Sequence, residues 1–365
     1  MPVTASTETL TIQSGHGAYP VHFHSTVTDL VANLVTAPNA VVLADAHVAE
    51  VYGDTLAPLL SQYPCHLAPA LETEKTWVGV ERMLLFLQKN GCNKGSKLIV
   101  VGGGIMQDIA TFSTHVYYRG IPFEFVPTTL LSMADSCIGA KCGINFGSFK
   151  NQLGAFHSPC AVRICHRFLD TLSDAEIVSG YGEIIKLALT GSEEAYEQTE
   201  RAVNSGGFRC RELPDLINMS LGAKKVVIEE DEYEIDLRRI LNYGHTFGHA
   251  LEAITTYTVP HGVGVAWGLD LANYISWRKG MLSERWFQRI HGFLTRHYQL
   301  PPEARVPADD LIAASRRDKK NIGSRLTMIL LEKPGALKVV YLDYDDKLRT
   351  WINGFFELSN AFYRD

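Results

Sequence analysis

The chain has 365 residues, of which 46% are hydrophobic and 20% charged, and a formal net charge of -6 at pH 7. That length allows two domains with large buried cores, and the composition is that of an ordinary soluble globular protein. No block of lysine or arginine occurs, which argues against a nucleic-acid partner, so an anionic substrate has to be held by a local cluster of cations. The seven cysteines (65, 92, 137, 142, 160, 165 and 210) are scattered and form no CxxC pair. This usage predicts free thiols, with neither a zinc knuckle nor a disulfide framework. The start has no basic segment followed by an apolar run, and no stretch approaches the roughly 18 apolar residues of a membrane span. A cytoplasmic protein is expected.

In chain order, Ala40 to Ala44, Lys97 to Val101 and Pro122 to Val126 read as strands, with amphipathic stretches such as Thr76 to Lys89 between them. Strands separated by helices predict a parallel sheet with crossover helices. Asp108 to Tyr118 has helical period. From Ser173 onward Ile177 to Leu189, Leu213 to Glu230, Arg238 to Ala253, Gly264 to Arg278 and Ser283 to Tyr298 all read as helices. Strand character returns only at Leu326 to Leu331 and Lys338 to Leu342. The predicted fold is α/β, a Rossmann-like nucleotide-binding domain over residues 1–168 followed by a helical domain over residues 169–365.

Within Arg238-Arg-Ile-Leu-Asn-Tyr-Gly-His-Thr-Phe-Gly-His249, residues Arg238, Asn242, His245 and His249 are spaced four, three and four apart. On one α-helix they share a stripe. A guanidinium, an amide and two imidazoles make a poor core face, because every polar group taken from water there needs a partner. The stripe is either a polar surface or a site, and the presence of Arg238 and Asn242 on it, flanked by the small Gly244 and Gly248, favours the site. His261, in Pro260-His261-Gly262, adds a third imidazole. Glu183 and Lys186 share one helix face, either as a surface ion pair or with Glu183 completing a Glu-His-His metal set. Gly102-Gly103-Gly104 ends a strand, where backbone amides can approach a pyrophosphate, although a plain tight turn fits as well. Asp45 closes an earlier strand and could accept from a ribose hydroxyl, and Glu72 to Lys75 follows another; both also suit solvated loops. Asp135, Lys141, Lys150 and Asn151 lie in a glycine-bearing loop after a strand and offer partners for phosphate and hydroxyls.

These motifs together resemble the series found in the sugar phosphate cyclases, whose best-known member is 3-dehydroquinate synthase. The resemblance rests on Gly102-Gly103-Gly104, Arg119-Gly120, Val126-Pro-Thr-Thr-Leu, Asp135-Ser, Lys141, Lys150-Asn151, Gly182-Glu183-Ile-Ile-Lys186, Leu241 to His249 and His261-Gly262, in family order from Asp45 to Lys320. It implies an NAD-dependent enzyme with one divalent metal, zinc or cobalt. A homodimer is implied as well, with a small sugar phosphate as the partner molecule. By position the metal ligands would be Glu183, His245 and His261. Asp45, Glu72, Lys75, Gly103, Gly104, Asp108, Thr128, Thr129 and Thr171 would contact NAD. Asp135, Lys141, Asn242, Lys186 and His249 would be catalytic. Arg119, Lys150, Asn151, Lys224, Arg238 and one of Lys319 or Lys320 would bind substrate, with Arg119 reaching the neighbouring subunit's site.

The implied reaction oxidises a ring hydroxyl, which acidifies the adjacent C-H and lets phosphate leave. Hydride then returns, the ring opens and an aldol step closes a carbocycle. Two features bear on the substrate. Lys224 and Arg238 match residues that grip the substrate carboxylate in dehydroquinate synthases, which favours heptulosonate 7-phosphate, although the adjacent Lys225 and Arg239 leave that alignment open by one residue. Asn145-Phe-Gly, Gly-Tyr-Gly-Glu183 and Val263-Gly264 depart from the usual motifs, and the first is nearer to the valiolone-forming cyclases of secondary metabolism that take sedoheptulose 7-phosphate. A metal-dependent polyol dehydrogenase and a regulatory pseudoenzyme are the other readings.

Overall fold

The computed structural model describes residues 9–147, 149–256, 258–316 and 325–363, arranged as two compact units that meet in sequence at Ser173 and Asp174. Among its described residues the first unit has nine strands: β1 Thr9–Ile12, β2 Tyr19–Phe23, β3 Ala40–Asp45, β4 Cys65–Ala68, β5 Lys97–Gly102, β6 Phe123–Pro127, β7 Lys141–Phe146, β8 Phe149–Phe156 and β9 Ala161–Ile164. Its helices are α1 Val27–Leu34, α2 Ala46–Val51, α3 Gly53–Gln62, α4 Trp77–Lys89 and α5 Gly104–Val116. Seven strands form one sheet in the order β1-β2-β9-β6-β5-β3-β4, parallel except for the β1-β2 pair. β6 is buried along its whole length, β5 after its first residue and β3 up to its last, which is why apolar residues dominate them, with the buried Glu124 of β6 ion-paired to Lys97 and Arg163.

From β3 the chain steps to β4 on one side and returns to β5 on the other, so the strand order reverses between β3 and β5. In an open parallel sheet the crevice beyond the carboxyl ends at such a reversal is where nucleotides bind. Here those ends carry Asp45 and the Gly102 to Gly104 turn. They are close together, since a Cβ on Gly102 would lie 3.4 Å from the Asp45 Cβ. The segment read as a glycine-bearing loop is largely an antiparallel hairpin, β7 with β8.

The second unit contains α6 Asp174–Gly191, α7 Glu193–Gly206, α8 Leu213–Glu230, α9 His245–Ile254, α10 His261–Arg278, α11 Glu284–His297, α12 Ala308–Ser315 and α13 Asp346–Leu358. The hairpin of β10 Leu326–Lys333 and β11 Ala336–Leu342 joins them, as the late strand character predicts. Every residue of α10 from Gly262 to Ser276 is buried, so α10 is the hub of this unit. Glycines let its neighbours touch its backbone. A Cβ on Gly262 would lie 1.6 Å from the Ser179 carbonyl oxygen of α6, and one on Gly268 would lie 2.0 Å from the carbonyl of Gly244, just before α9.

A predicted helix also fails. Arg238 to Ala253 is not a continuous α-helix: Leu237–Asn242 is a 3-10 turn, and α9 starts only at His245. Gly244 between them has φ +78°, a left-handed conformation that ends helical propagation and that glycine adopts at little cost. The four-residue stripe therefore exists only as the pair His245 and His249.

Candidate active site

In the second unit, three helices bring a carboxylate and three imidazoles together. Glu183 comes from α6, His245 and His249 from α9, and His261 from the first residue of α10. Close packing of α6 on α10 through Gly182 and Gly262 delivers Glu183 to His261, with Nε2 of His261 3.0 Å from Oε1 of Glu183. Nε2 of His245 lies 3.4 Å from the same oxygen. Ligating atoms of the three histidines all fall within 4.8 Å of one another.

The outer nitrogens set the tautomers. Nδ1 of His245 lies 3.1 Å from the Tyr243 carbonyl oxygen, which can only accept, so Nδ1 carries the proton and Nε2 keeps its lone pair. Nδ1 of His261 likewise faces Oε1 of Glu252 at 2.9 Å. The other oxygen of Glu183 is ion-paired with the buried Lys186 one turn along α6. Burial would raise the Glu183 carboxyl, but Lys186, His245 and His261 hold it well below the ordinary range, so it is a carboxylate. Burial would lower His261, yet hydrogen bonds to Glu183 and Glu252 raise it to about 10, whereas burial lowers His245. With its value raised that far, His261 meets the Glu183 oxygen through an Nε2 proton; displacement of that proton by an arriving cation would leave one carboxylate and two imidazole nitrogens, a donor set that suits zinc or cobalt.

Further along the same unit, burial separates the ambiguous cation pairs. Lys224 and Arg238 are 6% and 5% exposed, whereas Lys225 is ion-paired with Glu229 one turn ahead and Arg239 is half-buried. The Asp231 carboxylate accepts from the backbone amides of Ile235, Asp236 and Arg238, which fixes the loop that carries Arg238. Those amides hold Asp231 below its ordinary value although burial acts the other way. Asn242 donates to Oε1 of Glu234 at 2.6 Å. Lys319 and Lys320 lie outside the described residues.

In the first unit, Lys75 donates to Oδ2 of Asp108 at 3.1 Å and to Oδ1 of Asn151 at 2.8 Å, and lies 3.6 Å from Glu72. Burial would lower the Lys75 ammonium, but Asp108 and Glu72 raise it, whereas burial raises the Asp108 carboxyl against the pull of Lys75 and the Gly143 amide. Asn145 donates to Glu72 at 2.8 Å and accepts from the Asn151 amide at 2.9 Å, which ties the β7-β8 hairpin to the turn at Glu72–Glu74. Lys150 approaches Glu72 at 3.7 Å, and Lys141, at the start of β7, is exposed. Asp45 caps α2 by accepting from the His47 amide. A Cβ on Gly103 would come 3.0 Å from Thr129, so the turn after β5 abuts the turn after β6. Gly104 opens α5, behind that turn. The hydroxyl of Thr128 is buried without a protein partner among the described residues, and that of Thr171 is 3.1 Å from the Tyr52 hydroxyl. Asp135 is buried in the turn Ser132–Ser136. Arg119 is exposed in a turn where Tyr118, Arg119 and Gly120 all have positive φ.

Two residues of these clusters escape the sequence reading. Glu234 has φ +59° and no spacing that marks it. Glu252 does have one: it lies seven residues after His245 and three after His249, so it continues the α9 stripe.

Residues 66–179 match the family model for the 3-dehydroquinate synthase N-terminal region, and residues 180–321 match that for its C-terminal region. The chain belongs to the 3-dehydroquinate synthase family. A 3-dehydroquinate synthase of Thermoanaerobacter sp. (strain X514) is 32% identical over 350 residues, 93% of this chain and 98% of the relative. Among solved structures of related cyclases, 2-deoxy-scyllo-inosose synthase complexed with carbaglucose-6-phosphate, NAD+ and Co2+ superposes with a TM-score of 0.84. It is 25% identical, and the match covers 95% of this chain and 98% of that one. ValA, the 2-epi-5-epi-valiolone synthase of Streptomyces hygroscopicus subsp. jinggangensis 5008 with NAD+ and Zn2+ bound, gives 0.81 at 25% identity over 98% of this chain and 100% of that one. All seven cysteines of this 3-dehydroquinate synthase family member are free, and among the described residues no helix is long and apolar enough to cross a membrane.

Proposed function

We propose that this chain is a cytoplasmic sugar phosphate cyclase that converts heptulosonate 7-phosphate to a carbocycle with loss of phosphate, using NAD and one divalent ion, zinc or cobalt. The observation that carries the reading is the convergence of two imidazole Nε2 atoms on one buried carboxylate oxygen of Glu183. When bound, NAD supplies a hydride acceptor restored within each turnover, and the ion polarises neighbouring substrate oxygens.

The protein's own groups do the rest. Glu183, His245 and His261 hold the ion. His249, exposed beside them, is the group placed to carry a proton, and Asn242 fixes a substrate hydroxyl. Asp45, Glu72, Gly103, Gly104, Thr128, Thr129 and Thr171 serve the nucleotide, with Lys75 and Asp108 bracing the hairpin against it. Lys141, Lys150 and Asn151 take the phosphate end, where removal of a charged group needs positive compensation. Lys186 keeps Glu183 ionised, Asp135 orients the hairpin side of the substrate, and Lys224 and Arg238 hold the carboxylate. Both match the cations that grip a carboxylate in the family and both are buried, with Arg238 anchored by donation to the Glu232 carbonyl, as a charge-recognising site would be, which favours the acid.

A second reading, sedoheptulose 7-phosphate as substrate, is supported by Asn145-Phe-Gly and by the similarity to ValA. Wild type and Arg238→Ala, assayed on both phosphates with NMR of the products, separate the two. If the acid is the substrate, Arg238→Ala loses a charge-assisted hydrogen bond of roughly 1.5–3 kcal/mol, about ten- to a hundred-fold in kcat/KM toward the acid alone. A wild type active only on the neutral phosphate, or an equal loss on both, assigns the second substrate.

A further inference from the structure

We propose that Glu252 is a positioning residue for the metal site, its carboxylate accepting the Nδ1 proton of His261 and so aiming Nε2 at the ion. The inference rests on the assignment of His261 as a ligand and adds a residue outside the ligand set. Glu252 lies on α9 with its side chain 8% exposed, and Oε1 is 2.9 Å from Nδ1 of His261. A carboxylate taken that far out of water is costly unless it is paired, and the partner it meets is this imidazole. Gly264, one turn into α10, has no side chain to intervene: a Cβ there would lie 3.2 Å from Cγ and 3.3 Å from Oε1 of Glu252. The α10 backbone thus closes over the carboxylate and confines it against His261.

The two histidines are held in different ways. A backbone carbonyl orients His245, whereas a charged side chain orients His261. A carboxylate behind an imidazole fixes both tautomer and ring plane and makes Nε2 a stronger donor. His261 also needs this more than His245 does, because it sits at the first residue of its helix and its side chain is 34% exposed against 12%. Glu252 is therefore the group that converts a swivelling imidazole into a fixed ligand.

The test is zinc affinity, measured by competition with a chromophoric chelator, together with the visible spectrum of the cobalt-loaded protein. Wild type, Glu252→Ala, Glu252→Gln and His261→Ala are compared, with folding checked by melting of the metal-free proteins. Glu252→Ala is expected to bind zinc about 10- to 100-fold more weakly and to shift the cobalt bands. Glu252→Gln, whose amide oxygen still accepts from Nδ1, is expected to fall between the two. Wild-type zinc affinity and unchanged cobalt bands in a folded Glu252→Ala overturn the inference. Retention of zinc by His261→Ala overturns the ligand assignment instead, a different failure. If Glu252→Ala does not fold, Glu252→Asp decides, since it keeps the charge but draws it back by one methylene, and wild-type behaviour there contradicts the proposal.

Discussion

Burial alone would lower the pKa of His291 on α11, but the Asp270 carboxylate of α10, 2.7 Å from its Nδ1, raises it above 6.5. Asp270 is itself raised from 3.8, because burial outweighs the help it receives from His291. Both folded-state values lie above the unfolded ones, so the folded protein binds more protons and both contributions fall as pH rises. The His291 contribution is fully present below 6.5 and is lost as pH climbs through the raised value. Melting temperatures at pH 6 and pH 9 should therefore drop further for the wild type than for His291→Gln; parallel drops would mean that the pair does not govern this window. At the same scale, the site is legible wherever spacing encodes it. His245 and His249 declare themselves by a four-residue step, and Glu252 continues it. Lys224 and Lys225 cannot be told apart by spacing, because only burial separates them, and burial depends on packing that a one-residue step does not reveal. Glu234 is placed by a positive φ in an irregular loop, for which the sequence carries no periodic signal.

At the scale of elements, the site depends on helices whose backbones touch. Ala at position 262 would put a methyl group 1.6 Å from the Ser179 carbonyl oxygen, a backbone atom that can move only if α6 and α10 part. Overpacking typically costs about 1–3 kcal/mol, and here no flexible side chain can yield, so Gly262→Ala should reach at least the upper end. Such a loss lowers Tm by roughly 2–4 °C per kcal/mol in a unit of this size. Glu183 should separate from His261, so zinc binding should weaken in parallel; a stable Gly262→Ala with normal zinc affinity would contradict the packing account. The elements themselves divide in legibility by their environment. β3, β5 and β6 are clear in sequence because burial on both faces demands apolar runs. The β7-β8 hairpin is not: β8 has no buried residue and so shows no apolar alternation, and glycines at 143 and 154 mimic a loop. The predicted long helix fails at Gly244 because a single left-handed residue breaks a pattern whose period otherwise continues across it.

At the scale of the whole molecule, the family is legible because separate motifs recur in order along the chain, and the family models match it from residue 66 to residue 321. The substrate is less so, since a retained cation pair and an altered hairpin point in different directions. Assembly is testable through Arg119, held exposed by three consecutive positive-φ residues, a strain that a functional contact would explain. If Arg119 serves a neighbouring subunit's site, mixing inactive Arg119→Ala with inactive His249→Ala should restore part of the activity in hybrid dimers. No recovery despite demonstrated subunit exchange would confine Arg119 to its own subunit or remove it from catalysis. The central claim is that oxidation and reduction occur within one turnover, which separates a cyclase from a polyol dehydrogenase on a similar scaffold. Simultaneous recording of phosphate release and absorbance at the NADH band, with NAD far below substrate, tests it most directly. Many equivalents of phosphate per NAD with no growth of NADH are expected, and NADH accumulating in step with substrate consumed would contradict the account.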